Sequence, residues 1–337
     1  MKENFYSDWL RLSNEDRLAV FQETANRKGL PAAVIEKDWW VTLTLRIIFN
    51  MDLGPHLLFK GGTSLSKGWN LIDRFSEDID IIVDSGFLGF PGAISNRKVN
   101  KLKLASLEYV TNTFFEDLQS AFEKFGITNM KFSISEKSVT HKDPIQIDIE
   151  YEPITKKVEY IQTRVQVEIG CRSLRDPFSE REIVSFVGSE FSDRDFADPH
   201  MSIPCVNPER TFLEKIFLLH EEFQRPIEKV RVDRLSRHLY DLTKIMSTEY
   251  SDLAFQDMKL YEKIVKHRKK FFKVGGVDYE KHQPKFINLI PPDHIYSDWK
   301  NDYNSMKENM IYSESPSFED LMSKIKSLQL RINQLEA

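Results

Sequence analysis

Residues 59–83 of this 337-residue chain read FKGGTSLSKGWNLIDRFSEDIDIIV, and they carry the residue types that phosphate chemistry needs. Gly61 and Gly62 follow a short apolar run, where a backbone without Cβ atoms can approach an anion. Thr63 and Ser64 add hydroxyl donors. A helix starting here would turn its unpaired N–H groups toward the same anion. Asp78 and Asp80 then open an apolar run. Residues i and i+2 of a strand share a face, so the two carboxylates point one way and Ile79 and Ile81 the other. Carboxylates at this spacing can share one or two Mg²⁺ ions, with phosphate oxygens and water completing the shell. Mn²⁺ is the alternative metal. A two-metal site activates an attacking oxygen and stabilises leaving pyrophosphate. The order and placement point to an NTP and nucleotidyl transfer, although either half alone is common in turns and strand starts. The segment is no Walker loop, because Lys67 is followed by Gly68 and the required GK[ST] is absent.

A third carboxylate would complete the metal site. Asp148 lies in PIQIDIEY, where Ile145, Ile147 and Ile149 alternate. An acid amid such a strand needs a reason. Glu150 shares its face and is the other candidate. Further along, Lys215 lies beside the apolar stripe Phe212, Ile216 and Leu219, where it can reach triphosphate oxygens or snorkel to solvent. Asp241 is placed to pair with Lys215, to act as base toward an acceptor hydroxyl, or to pair with Arg237 or Lys244 on its own helix. Arg225, Lys229, Arg231, Arg234 and Arg237 form one basic patch. Lys266, Arg268, Lys269, Lys270 and Lys273 form a second, interleaved with Phe271 and Phe272. Such patches track an RNA backbone or are simply solvated helix faces. Arg231, Arg234, Arg237, Lys269 and Lys270 are the RNA-binding candidates.

The elements that must position these residues change character along the chain. Ser13–Asp16 starts a helix, and residues 32–50 form a second, strongly apolar one. Leu57–Lys60 and Asp78–Val83 read as strands, with a helix from Thr63 to about Leu71 between them. Residues 86–92 are a Gly/Pro loop and 98–125 a long amphipathic helix. Residues 130–136, 145–151 and 163–170 read as strands. From Pro208 onward the pattern is helical, over 208–223, 229–247, 251–273 and 316–336. The expectation is an α+β domain over 1–205 and a helical domain over 206–337.

Net charge is -5, so any polyanion site must be a local patch. Two cysteines, Cys171 and Cys205, offer neither a zinc cluster nor a disulfide framework. No apolar run approaches the roughly 20 residues that span a bilayer, and no signal-peptide core is visible. A cytoplasmic setting without a membrane partner is the simplest expectation. No GxSxG elbow supports serine nucleophile chemistry.

The chain resembles the AbiEii/AbiGii family of nucleotidyltransferase toxins, within the DNA polymerase β-like nucleotidyltransferase superfamily. The resemblance rests on residues 35–49, IEKDWWVTLTLRIIF, and most closely on 59–81. RTFLEKIFLLH at 210–220, RHLYDL at 237–242 and WKNDYNSMKENMIY at 299–312 follow in the expected order. It implies a bilobed protein: a nucleotidyltransferase-fold mixed β-sheet domain and a helical C-terminal domain. It implies use of NTP and Mg²⁺. Gly61, Gly62, Thr63 and Ser64 match the phosphate-binding turn, Asp78 and Asp80 the metal carboxylates, and Lys215 and Asp241 the later motif residues. Family members are often toxins of toxin–antitoxin or abortive-infection phage-defence systems, with an antitoxin partner. Some relatives add nucleotides to tRNA acceptor ends. Transfer to a protein hydroxyl or small molecule, or nucleotide binding without catalysis, are the alternatives.

Overall fold

The computed structural model describes residues 5–92, 94–136, 143–158, 161–172 and 174–336. The chain divides into two compact units: residues 1–69 with 75–205, and residues 70–74 with 206–337.

The first unit is built on a seven-stranded mixed sheet. Its strands are β1 (Leu57–Lys60), β2 (Asp78–Val83), β3 (Lys131–Ile134), β4 (Ile145–Glu150), β5 (Arg164–Gly170), β6 (Phe178–Ile183) and β7 (Met201–Val206), in the order β3-β4-β5-β2-β1-β7-β6. β2 runs antiparallel to β1 and parallel to β5, and β5 runs antiparallel to β4. Alternation sorts the side chains. Ile79 and Ile81, Val165 and Val167, and Ile147 and Ile149 join one buried cluster with Trp39, Leu43, Phe114, Leu118 and Phe122. The opposite face carries the polar residues of β2, β4 and β5.

The helix Ala32–Phe49 is buried along nearly its whole length, as an apolar run on all sides requires. The helix Asn14–Lys28 begins at Ser13, whose hydroxyl accepts from Asp16 N at 3.1 Å. The long helix expected over 98–125 is Asn96–Glu108 and Phe115–Lys124, joined by a π-helical segment Tyr109–Phe114. After β1, the helical turn Gly61–Thr63 passes into a π-type turn, Ser64–Gly68. It stops short of Leu71, and Asn70 turns left-handed at φ 51. The helix Phe5–Arg11 and strands β6 and β7 are additional to the expected elements.

The second unit is helical. Pro208–Glu222, Ser236–Ile245, Tyr296–Met310 and Phe318–Asn333 pack around Phe212, Ile216, Leu239, Leu242, Trp299, Tyr303, Leu321 and Ile325. Pro226, a short 3-10 turn and Arg234 at φ 57 confine the helix expected over 229–247 to Ser236–Ile245. The expected 251–273 helix is broken into Glu249–Gln256 and Met258–Phe271 at Asp257, whose carboxylate caps Leu260 N at 2.9 Å. Among the described residues no helix is long and apolar enough to cross a membrane.

Candidate active site

β1 delivers the chain to the glycine turn beside Asp80, since Lys60 and Asp80 are antiparallel partners. Gly61 adopts φ +79, and a Cβ there would lie 2.0 Å from Asp80 Oδ2. The turn's backbone is thus packed against a carboxylate, in a cradle that any side chain would fill. Thr63 is buried and its hydroxyl is committed inward, 2.5 Å from Asp78 O and 2.9 Å from Ser76 Oγ. Ser64 is buried beside the Cys205 thiol, which burial pushes up to about 12. The Thr63 hydroxyl therefore holds the turn to strand β2, and the Ser64 hydroxyl is buried in the interior.

Asp78 and Asp80 stand half-buried on the polar face of β2. Parallel pairing sets Gln166 opposite Asp78 and Glu168 opposite Asp80. Adjacent strands lie about 4.8 Å apart, so Glu168 is the acid nearest Asp80 across the sheet. Asp148 pairs with Gln166 one strand further on, roughly 10 Å from Asp78 by two strand spacings. It is buried, and Arg164 Nη1 holds it at 2.7 Å. Glu150 is exposed and pairs with Arg164 and Lys131 across the sheet. In register, Glu168 is thus the acid opposite Asp80, whereas Asp148 lies one strand further away and Glu150 pairs with Arg164 and Lys131. The parity of RVQVEIG puts Glu168 on the polar face, but only the strand order shows that β5 is next to β2.

The donor set is all oxygen, which suits a hard cation such as Mg²⁺. Among the described residues no three His, Cys, Asp or Glu side chains are gathered to hold a metal by themselves. Mg²⁺ needs only one or two protein carboxylates, because phosphate oxygens and water fill its other positions. The pair fits that requirement, and Gly61 lets the turn's backbone pack directly against the Asp80 carboxylate.

Lys215 and Asp241 belong to the second unit, and sequence reading missed their partner Arg74. Asp241 is fully buried and accepts from Arg74 Nε at 2.7 Å and Arg74 Nη2 at 2.9 Å. Lys215 Nζ stands 2.9 Å from Asp241 Oδ2, the oxygen that also accepts from Arg74 Nη2. Burial opposes this charge, but the two cations hold Asp241 well below the usual carboxylate range. Lys215 is itself lowered by burial. Burial and the neighbouring Lys215 keep His238 well below the usual histidine range. Its Nδ1 lies 3.3 Å from Lys215 Nζ. Lys244 pairs instead with Asp73 at 2.5 Å.

The basic patches are largely balanced by acids. Arg231 lies 2.7 Å from Glu222, and Arg225 lies 3.3 Å from the same carboxylate. The backbone N–H of Arg234 donates to Asp302 at 2.7 Å. Arg237 lies close enough to Lys215 and His238 to disfavour their charged forms. In the second patch Lys266 pairs with Glu262, buried Arg268 with Glu221, and Lys269 with Glu280. Lys270 lies 5.5 Å from the centroid of the Phe271 ring, which is buried, whereas Phe272 is exposed.

A glycine turn packed on a strand whose face carries Asp-x-Asp defines a nucleotidyltransferase-type site. The family described as "Nucleotidyl transferase AbiEii toxin, Type IV TA system" matches residues 45–324, and the chain belongs to that family. It is accordingly a nucleotidyltransferase, with an NTP as substrate, and the toxin of a type IV toxin–antitoxin system, which implies an antitoxin partner. Among solved structures, the fold is similar to MenT4, the nucleotidyltransferase toxin Rv2826c of Mycobacterium tuberculosis H37Rv. The TM-score is 0.52 and the identity 15%, over 97% of this chain and 91% of that one. JHP933 of Helicobacter pylori also matches, at a TM-score of 0.35 and 16% identity over 81% of this chain and 97% of that one. No curated protein is significantly similar in sequence.

Proposed function

We propose that this chain uses Mg²⁺ to transfer an NMP from an NTP to an RNA hydroxyl, at the 3′ end of tRNA, and so arrests translation in phage defence within the cytoplasm. The observation that carries the transfer reading is the approach of the Gly61 backbone to Asp80, with Asp78 and Glu168 on the same face. Backbone N–H groups of the turn bind the triphosphate, and Asp78 and Asp80 would hold the metal, with Glu168 in register beside Asp80. When bound, Mg²⁺ offsets charge on the phosphates and lowers the pKa of a coordinated oxygen. The acceptor hydroxyl gives up its proton to solvent as its oxygen bonds the α-phosphorus, the bond to the bridging oxygen breaks, and pyrophosphate leaves with that electron pair.

Asp241 is assigned a positioning role within the second unit. A carboxylate with a strongly depressed pKa and two cationic partners is a poor base at neutral pH. RNA as acceptor is supported by the family resemblance, in which some relatives extend tRNA acceptor ends. Arg231, Arg234, Arg237, Lys269 and Lys270 remain the candidate contacts, and most must exchange an acidic or aromatic neighbour for phosphate.

The test is incubation with each α-phosphate-labelled NTP, Mg²⁺ and total cellular RNA, before and after periodate oxidation of the RNA 3′ ends. Label in a tRNA-sized band that oxidation abolishes is the expected result. Label that enters protein, or that enters RNA despite oxidation, would overturn the acceptor assignment.

A further inference from the structure

We infer that Lys37 and Asp38 are positioning residues: adjacent buried charges on one helix that hold the glycine turn and the Asp78–Asp80 strand in a single frame. The inference rests on the site reading proposed above.

The helix Ala32–Phe49 is a buried element, and charged side chains enter such a place only when paired. Glu36, Lys37 and Asp38 are consecutive and all buried. Successive helical residues point about 100° apart, so the three reach different segments. Glu36 accepts from Ile154 N at 2.9 Å and Thr155 N at 3.0 Å. Lys37 Nζ stands 3.2 Å from Glu77 Oε2 and donates to Gln162 O at 2.8 Å and to Arg164 O. Asp38 Oδ1 meets Lys67 Nζ at 2.5 Å, and Asp38 Oδ2 accepts from Phe186 N at 2.8 Å.

The partners give these pairs their meaning. Glu77 immediately precedes Asp78, and Arg164 opens β5, the strand of Glu168. Lys67 ends the turn that Gly61 begins, and it also donates to Val184 O at 3.3 Å. One helix therefore ties down both the phosphate turn and the entry to the carboxylate strand. Apolar side chains would stabilise such a contact as well as a buried ion pair does. What directed, hydrogen-bonded charges add is a fixed register between the turn and the strand.

The test is calorimetric binding of a non-hydrolysable NTP analogue with Mg²⁺ to the full chain, beside thermal melting. Asp38→Asn/Lys67→Met and Lys37→Met/Glu77→Gln each remove both partners of a pair, which avoids leaving a lone buried charge. Glu36→Gln is the control, since Glu36 sits on the same helix but holds residues 154–155. Both double variants are expected to fold and to bind about tenfold or more weakly, because small misplacements of binding groups are expensive. Glu36→Gln is expected to bind as wild type does, even with a lower Tm. Lys67→Arg keeps the charges in altered geometry and is expected to weaken binding while the chain stays folded, so the test stands if a double variant unfolds. Wild-type binding by the folded variants would overturn the inference and leave the site reading intact. Binding that falls with Tm in Glu36→Gln too would overturn it as well. A wild-type chain that binds no NTP would overturn the site reading itself, and the inference with it.

Discussion

Gly61→Ala adds one methyl group at the point where the glycine turn meets the carboxylate strand. At φ +79 the backbone is left-handed, which costs an L-residue about 1–2 kcal/mol. The new Cβ would lie 2.0 Å from Asp80 Oδ2 and 2.8 Å from Asp80 Cγ, where separations under 3.0 Å are not sustained. The Asp80 carboxylate must therefore retreat by about 1 Å, a displacement that costs about 10²-fold in rate when the group positions a reacting centre. Gly29 supplies the matched control. It caps the helix Asn14–Lys28 at φ +66, and a Cβ there meets nothing within 4 Å. Gly29→Ala should carry the same backbone penalty with no effect on Asp80. Urea unfolding and kcat/KM for labelled NTP transfer separate the two effects. Both variants should lose similar stability, and only Gly61→Ala should lose transfer. Transfer by Gly61→Ala indistinguishable from wild type would refute the claim that this contact sets the carboxylate's position.

Three further outcomes are expected. Glu168→Gln should reduce transfer far more than Asp148→Asn at saturating Mg²⁺, because Glu168 is in register with Asp80 whereas Asp148 is held by Arg164. Steady-state assays of the two variants check this, and equal losses would return Asp148 to the metal site. Asp241→Asn should cost about 3–5 kcal/mol, since it leaves buried Arg74 and Lys215 without their counter-charge. Urea unfolding of the second unit measures it. The folded Asp241 pKa is depressed, so its contribution is fully present above the unfolded carboxylate value of about 3.9 and is lost as pH falls from there toward the folded value. The stability gap between wild type and Asp241→Asn should accordingly narrow below that pH, and a gap that widens in acid would contradict the assignment.

Some of the fold could be read residue by residue. Leu57–Lys60 and Asp78–Val83 are short β-branched or apolar runs between turn residues, and both are strands with those bounds. The alternating isoleucines of Ile145–Glu150 likewise fall on the buried face. β6 escaped notice because FSEREI is polar along most of its length, as a strand at the sheet edge can be. β7 carries Pro204, a residue that argues against a strand. The helix Tyr296–Met310 buries only Trp299, Tyr303, Met306 and Met310 from an otherwise polar run. At the site, local spacing could place Asp78 and Asp80 on one face, but not Glu168 beside them, since that depends on which strand pairs with β2. Nor could spacing show that Thr63 is engaged by Asp78 O, or that Arg74 meets Asp241 from 167 residues away. Long-range partners decide what a side chain has left to offer a ligand.

The most direct test of the central claim is NTP-dependent release of pyrophosphate and transfer of α-phosphate label with Mg²⁺, comparing wild type with Asp78→Ala/Asp80→Ala. The account predicts both signals from wild type, neither from the variant, and the same thermal melting for both. Transfer that persists in a folded variant lacking both aspartates would place the chemistry elsewhere in the chain and contradict the account.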